Sequence, residues 1–386
     1  MKRTKTLILM AVLGAALDAS GQEGGIIFQE DFEAASITEM ISKWDEAKNY
    51  ANMSFSADVP EGSRGSQSLM MTYTAGQNTG GHLYKMFPDG YDSLFARFYV
   101  KFESSHSPVH HFVHMGGYYP PTTWPQGGAG IRPTGNERFT TGIEPIGDKW
   151  SWDFYTYWMH MRGYADPNYF WGNTFHPDPP AAINRGEWIC VELMMKVNDP
   201  VEAYNGEQAF WVNGEKIQHL GEGFPNGYWI WDKFYPHPDS SAFEGFQWRN
   251  DARLKLNFFW LLYYMTGETD QMEKVYFDDV VVSTEYIGPI STGVEDTGLE
   301  SGPESSVYPN PFTGTTTINY AIRQSGKVKI NIYNPLGKRI STTLMEHQNV
   351  GEHSYEFDAD PYATGIYYYT IQTGERINKG KMVLLR

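Results

Sequence analysis

The sequence predicts an all-β protein: one large antiparallel sandwich followed by a small one. Three observations predict it. Short runs along the chain alternate apolar and polar residues with period two, as half-buried strands do. Gly and Pro, 39 and 22 of the 386 residues, punctuate these runs as turns. No segment combines a long helical period with caps.

The elements follow in chain order. The N-terminus, "MKRTKTLILMAVLGAALDASGQ", places Lys2, Arg3 and Lys5 before an apolar run at 7–17 and small residues at Ala19 and Gly21. That is the pattern of a secretory signal peptide over 1–21, too short for a membrane span. In "SLFARFYVKFE" (93–103), Leu94, Ala96, Phe98, Val100 and Phe102 face one way, and Phe95, Arg97, Tyr99 and Lys101 the other. Further strands are expected at 187–198, 206–217, 253–264 and 275–284, and Asn213-Gly214 marks a hairpin turn. Together they place one large domain at 26–289. The 290–306 segment is rich in Gly, Ser and acids without apolar period, so a flexible tether is expected there. Residues 307–386 again alternate, as in "TTTINYAI" and "KVKINIYN", and form a small β-domain.

The chain carries a formal net charge of -16, which disfavours nucleic acid and anionic membranes as partners. No internal segment is long and apolar enough to span a membrane. Cys190 is the only cysteine, so no internal disulfide forms, and its place in "WICVELMMKV" reads as a buried small hydrophobe. All 12 Trp lie between Trp44 and Trp260. Several sit beside Gly and Pro in loops, as in "YYPPTTWPQGG", where aromatic rings are available to stack on sugars.

Two resemblances follow from these segments. "DFE", "LFARFYVKF", "GEWICVELMMKVN", "AFWVNGEKI", "LNFFWLLYYMTG" and "VYFDDVVVSTEYIGP" together resemble the concanavalin A-like jelly roll of lectins, glucanases and several polysaccharide lyases. The likeness covers nearly all of 26–289 and implies a polysaccharide bound along the concave sheet. At the C-terminus, "YPNPF", "IYNPLGK", "GIYYYTI" and "KMVLLR" resemble the type A sorting domain of the Bacteroidetes type IX secretion system. That implies handling by the secretion machinery and a secreted or cell-surface location.

A glycoside hydrolase of this fold needs two carboxylates flanking the bond. No strand shows an acidic pair on one face: Glu187 and Glu192 differ by five, and Asp278 and Asp279 are adjacent. A lyase acting on a uronate needs a cationic or amide neutraliser, a base and an acid. The sequence supplies that inventory. Candidate catalytic residues are His114 as base, Arg132 as neutraliser, Tyr263 and Arg97. Candidate substrate-binding residues are Tyr99, Lys101, His110, Trp124, His160, Arg162, Asn257 and Tyr264. Arg97, Tyr99 and Lys101 are expected to line the concave sheet, and the Gly/Pro loop after His114 to be a mobile rim.

If 109–114 is a regular strand, His110 and His114 share a face and His111 points away. The shared pair would then stand roughly 13 Å apart at ~3.3 Å per residue, too far for one zinc ion. Asp279 is a candidate ligand for a structural calcium; no cofactor is required. G-x-S-x-G, H-E-x-x-H and phosphate-loop motifs are absent. The reading is β-elimination of an acidic polysaccharide. A non-catalytic glycan-binding or adhesion protein and a glycoside hydrolase remain open.

Overall fold

The computed structural model describes residues 25–146, 149–164, 169–266, 269–290, 305–322, 325–334, 338–373 and 376–385. The expected signal peptide and most of the linker lie outside them. The chain divides into two units, Met1–Thr292 and Gly293–Arg386.

The first unit is built on β1 (Ile26–Glu30), β2 (Glu46–Lys48), β3 (Met53–Ser56), β4 (Ser68–Thr74), β5 (Gly80–Tyr91), β6 (Ser93–Phe102), β7 (Val113–Tyr118), β8 (Arg138–Pro145) and β9 (Ser151–Tyr157). It continues through β10 (Asn173–Phe175), β11 (Ala181–Ala182), β12 (Ile189–Lys196), β13 (Glu207–Val212), β14 (Glu215–Leu220), β15 (Gly227–Ile230), β16 (Lys233–Pro236), β17 (Leu256–Tyr264) and β18 (Met272–Ser283). They form two sheets of a jelly-roll sandwich. The back sheet runs β14-β13-β12-β6-β18-β4-β3, with β1 on β18. The front sheet runs β15-β16-β10-β9-β8-β7-β17-β5-β2, with β11 on β9. Among the described residues no helix is long and apolar enough to cross a membrane.

Alternation places the core. Leu94, Ala96, Phe98, Val100 and Phe102 of β6 are fully buried, as their period predicts. Aromatic rings interlock the two sheets: Phe112 beside the front sheet lies 5.2 Å from Phe102 and 5.4 Å from Phe277, and Phe154 lies 5.1 Å from Phe210. Asn213 and Gly214, at φ 50 and 83, make the expected tight turn between β13 and β14.

The polar side of β6 does not line a groove. It faces outward from the back sheet, where the 286–290 segment covers it. Arg97 Nη1 donates to Gly288 O at 3.2 Å, and its Nη2 donates to Asp279 O at 3.1 Å. Tyr99 Oη accepts from Ile290 N at 2.7 Å, and Lys101 is paired with Asp58. Glu192 accepts from Ile287 N and Gly288 N, both at 2.8 Å. Alternation tells two faces of a strand apart; it does not tell which sheet carries the strand. Arg97, Tyr99 and Lys101 are therefore braces of the back sheet.

The second unit has two small sheets whose facing residues, among them Ile318, Tyr320, Ile330, Ile332, Phe357, Tyr369 and Ile371, close a separate core.

Phe98 sits between Phe112 and Phe277 with no exposure. Phe98→Ala is expected to cost about 3–5 kcal/mol in chemical denaturation. Burial pushes the Cys190 thiol up to about 11. Native protein at neutral pH should leave it unreactive toward a disulfide reagent, with the thiol appearing only on unfolding.

Candidate functional site

The front sheet turns a row of polar side chains away from the core. On β8, Phe139, Thr141 and Ile143 are buried against the back sheet, so Arg138, Thr140, Gly142 and Glu144 take the outer face. On β9, Asp153, Tyr155 and Tyr157 alternate with the core residues Trp152 and Phe154. Register then sets neighbours: Trp260 opposes His114, His114 opposes Gly142, Gly142 opposes Tyr155, and Glu144 opposes Asp153.

A bulge completes the cluster. The amides of both His110 and His111 donate to Tyr264 O, at 3.0 and 3.2 Å. Two residues thus face one across the ladder. Phe112 and Val113, which follow, are both buried in the core, so the alternation slips by a step between His111 and His114. The shift turns His111, not His110, toward His114. His111 Nδ1 and His114 Nε2 stand 3.0 and 3.1 Å from the same oxygen, Glu144 Oε1. The expectation that His111 points away fails because the strand is not regular at this point.

Glycine makes room for this meeting. A Cβ at Gly142 would lie 2.8 Å from His114 Nε2 and 3.0 Å from Glu144 Oε1. The His111 ring lies 4.9 Å from the ring of Tyr155 and stacks on Tyr264 at 6.0 Å. Tyr155 Oη and Tyr157 Oη are 3.4 Å apart.

The electrostatics are strongly polarised. Burial alone would raise the pKa of Glu144, but the charge and hydrogen bond of His111, and those of His114, hold it at about 2. Burial disfavours the His111 imidazolium, yet Glu144 wins and lifts its pKa above the ordinary value. Asp153, wholly enclosed and close to the Glu144 charge, is pushed well above the carboxylate range. Burial, Tyr157 and Glu144 hold the Tyr155 proton on.

A cavity of about 360 Å³ adjoins the cluster, lined by His82, His111, Trp260 and Tyr264 and roofed by Pro125, Gln126 and Gly127. The roof is pinned: Gln126 N donates to Tyr118 Oη at 3.2 Å, and Arg138 Nη2 donates to Gly128 O at 2.9 Å and Ile131 O. This part of the loop is stapled to the sheet, where a mobile rim was expected.

The other sequence candidates divide into three places. His110, His114 and Tyr264 belong to the cluster; the His110 ring lies 4.3 Å from that of His111. Arg132, His160 and Arg162 line a separate shallow cleft with Tyr164, Phe170 and Trp231. Arg132 lies over the Phe170 ring, His160 bonds Gln247 Oε1 at 2.9 Å, and Arg162 pairs with Glu244. Trp124 is exposed in the roof loop.

Tyr263 and Asn257 are corrected. Tyr263 faces the core with no exposure and holds His106 Nε2 at 2.8 Å. Asn257 is buried and hydrogen-bonds both the amide and the carbonyl of Tyr118. Asp279 lies outside the core of the back sheet. A second bulge there puts Val275, Phe277, Val280 and Val282 in the core, and Asp278 and Asp279 together outside it. The Oδ2 of Asp279 is buried without a hydrogen-bond partner, and burial beside that neighbour raises Asp278 to about 8.

Glu144, Tyr155, Tyr157, His82 and Trp260 were not singled out from sequence. The alternation of "RFTTGIEP" and "SWDFYTY" carries the faces of the first three.

Fold and site together define a two-sheet β-sandwich bearing an acid–base cluster on one outer face, joined to a small β-domain. Residues 306–385 match the Secretion system C-terminal sorting domain family. The chain thus ends in a secretion sorting domain and is exported, to the medium or the cell surface. No curated protein matches the chain. Among solved structures, it is similar to alginate lyase vAL-1 from Chlorella virus at 15% identity, covering 67% of this chain and 100% of that one, with TM-score 0.46. It is similar to the cellulose induced protein Cip1 at 14% identity, covering 68% and 100%, with TM-score 0.41. The Lotus tetragonolobus seed lectin follows at 10% identity, covering 64% and 98%, with TM-score 0.30. At such scores the likeness says nothing of activity.

Burial and Lys48 depress His82 to about 4. A histidine depressed below its ordinary ~6.5 contributes stability above that value and loses it as pH falls toward the folded pKa. In an NMR titration the His82 ring should remain neutral down to the region of pH 4.

Proposed function

We propose that the protein is an exported glycan-active enzyme that cleaves a uronate-containing polysaccharide by β-elimination on the outer face of the front sheet. One observation carries this reading: two imidazoles and a carboxylate meet beside a pair of tyrosine hydroxyls on that face, with His111 partly exposed.

Elimination breaks the C5–H and C4–O bonds of the uronate. Charge moves onto the carboxylate, a base takes the C5 proton, and an acid returns a proton to the leaving oxygen. His111, with its imidazolium favoured by Glu144, is the cation that meets the carboxylate. Tyr155, flanked by Tyr157 and His111, is the group that exchanges protons with the sugar. As a base it needs positive charge beside it, because burial and Glu144 hold its proton on. Hydrolysis fits less well. Glu144 Oε1 is taken up by His111, His114 and the Phe112 amide, and Asp153 is enclosed against His176. Neither carboxyl is offered to a glycosidic bond.

His114 is assigned to the charge centre in place of the base. Arg132, His160, Arg162 and Trp124 are proposed as contacts for distal sugars. Asp279, with its unpartnered oxygen, is proposed as an oxygen ligand of a structural calcium ion.

A second reading, glycan binding without catalysis, is favoured by exposed rings. Tyr169 and Trp171 stack at an interplanar angle of 6°, and Tyr164 and Trp231 meet edge to face.

The test is the ultraviolet absorbance of the unsaturated uronate product when the full chain is incubated with a panel of uronate polymers. A rise that falls about 10²–10⁴-fold in Tyr155→Phe supports the assignment. No rise on any polymer, with retarded migration in a polysaccharide gel, would replace it by the binding reading.

A further inference from the structure

We propose that His111 Nδ1, His114 Nε2 and Glu144 Oε1 form a site for a divalent transition cation of the zinc class. The site itself stands on geometry; its role in elimination rests on the function proposed above.

The three donor atoms lie within 4.8 Å of one another. Donors placed ~2.0–2.2 Å from one tetrahedral ion stand roughly 3.3–3.6 Å apart. The two contacts to Glu144, at 3.0 and 3.1 Å, need to open by only a few tenths of an ångström. Two imidazoles and one carboxylate are zinc-class donors; calcium and magnesium ask for oxygen alone. His111 is partly exposed, so a further coordination position is open to water or a sugar carboxylate.

The hydrogen-bond count around His114 points the same way. The Thr140 hydroxyl donates to Met115 O at 3.3 Å, which leaves its oxygen to accept from His114 Nδ1 at 3.4 Å. That tautomer puts the proton on Nδ1 and aims the bare lone pair of Nε2 at a carboxylate oxygen. Two acceptors face each other unless a proton or a cation lies between them. A metal-bound histidine has this arrangement, with its second nitrogen held by an outer partner. Gly142 keeps the space clear, since a Cβ there would touch both Nε2 and Oε1.

The charge also fits the substrate. Without an ion, the positive charge that meets the uronate rests on the His111 proton; ligation leaves both imidazoles neutral and puts a divalent charge in that proton's place. A divalent ion makes the same cluster positive. It would neutralise the sugar carboxylate and, beside Tyr155, favour the phenolate that proton abstraction requires.

The experiment uses the full chain stripped with EDTA and titrated with zinc chloride by calorimetry, with bound metal counted by mass spectrometry. One tight zinc per chain is expected, unaffected by excess calcium, and cobalt(II) should give the visible spectrum of a low-coordinate site. His114→Ala and Glu144→Gln should abolish this binding. Thr140→Ala should weaken it about 10–100-fold while the thermal transition is kept. Gly142→Ala, which retains every ligand, should also weaken it. No stoichiometric uptake, or uptake unchanged in the ligand variants, overturns the site. Zinc bound at the cluster with no elimination on any uronate polymer sinks the proposed reaction and keeps the site. Elimination that persists in EDTA with no zinc bound does the reverse.

Discussion

The outer face of the front sheet depends on one atom, Oε1 of Glu144. It is a buried anion that two imidazoles and a backbone amide approach together. A buried carboxylate without partners would lose about 1–3 kcal/mol or more. Its neighbours are therefore not free to move away from it. Gly142 two residues earlier, His114 on the neighbouring strand and the break in alternation at Phe112–Val113 all serve that one requirement. The tyrosines on β9 then take their places by register, and the roof loop by its bonds to Tyr118 and Arg138.

The two sheets divide the work. Polar groups on the back sheet are spent on structure. Arg97, Tyr99 and Glu192 answer backbone groups of the 286–290 segment and leave little for a ligand. On the front sheet the polar groups bond mainly to one another. Each sheet also carries a bulge where its carboxylates or imidazoles gather, at Asp278–Asp279 and at His110–His111. A regular strand would have sent the members of each pair to opposite faces.

Much of the fold was legible because alternation is dictated by burial. The core set of β6, the Asn213-Gly214 turn and the two-sandwich plan can all be read from residue order. The site was legible only in part, for two physical reasons. Period two assigns faces but not sheets, so the cations of β6 went to a groove they do not reach. A bulge leaves no local mark in "VHHFVHM", so the histidine pairing was inverted. Glu144 was not read as a partner of the histidines because they come from another strand, and a cross-strand pair has no fixed spacing in sequence. Tyr263 shows the converse: adjacent tyrosines on β17 differ only in face, and the core took the first.

The brace on the back sheet has a mechanical consequence. Ile287, Gly288 and Ile290 are the last described residues before the segment that leads to the sorting domain, and all three are fastened to side chains of β6 and β12. A pull on the chain at Ile290 meets several hydrogen bonds at once, all made to side chains of the back sheet. The hydrogen bonds that a pull on this segment loads first thus belong to β6 and β12, not to the strands that carry Glu144 and His114.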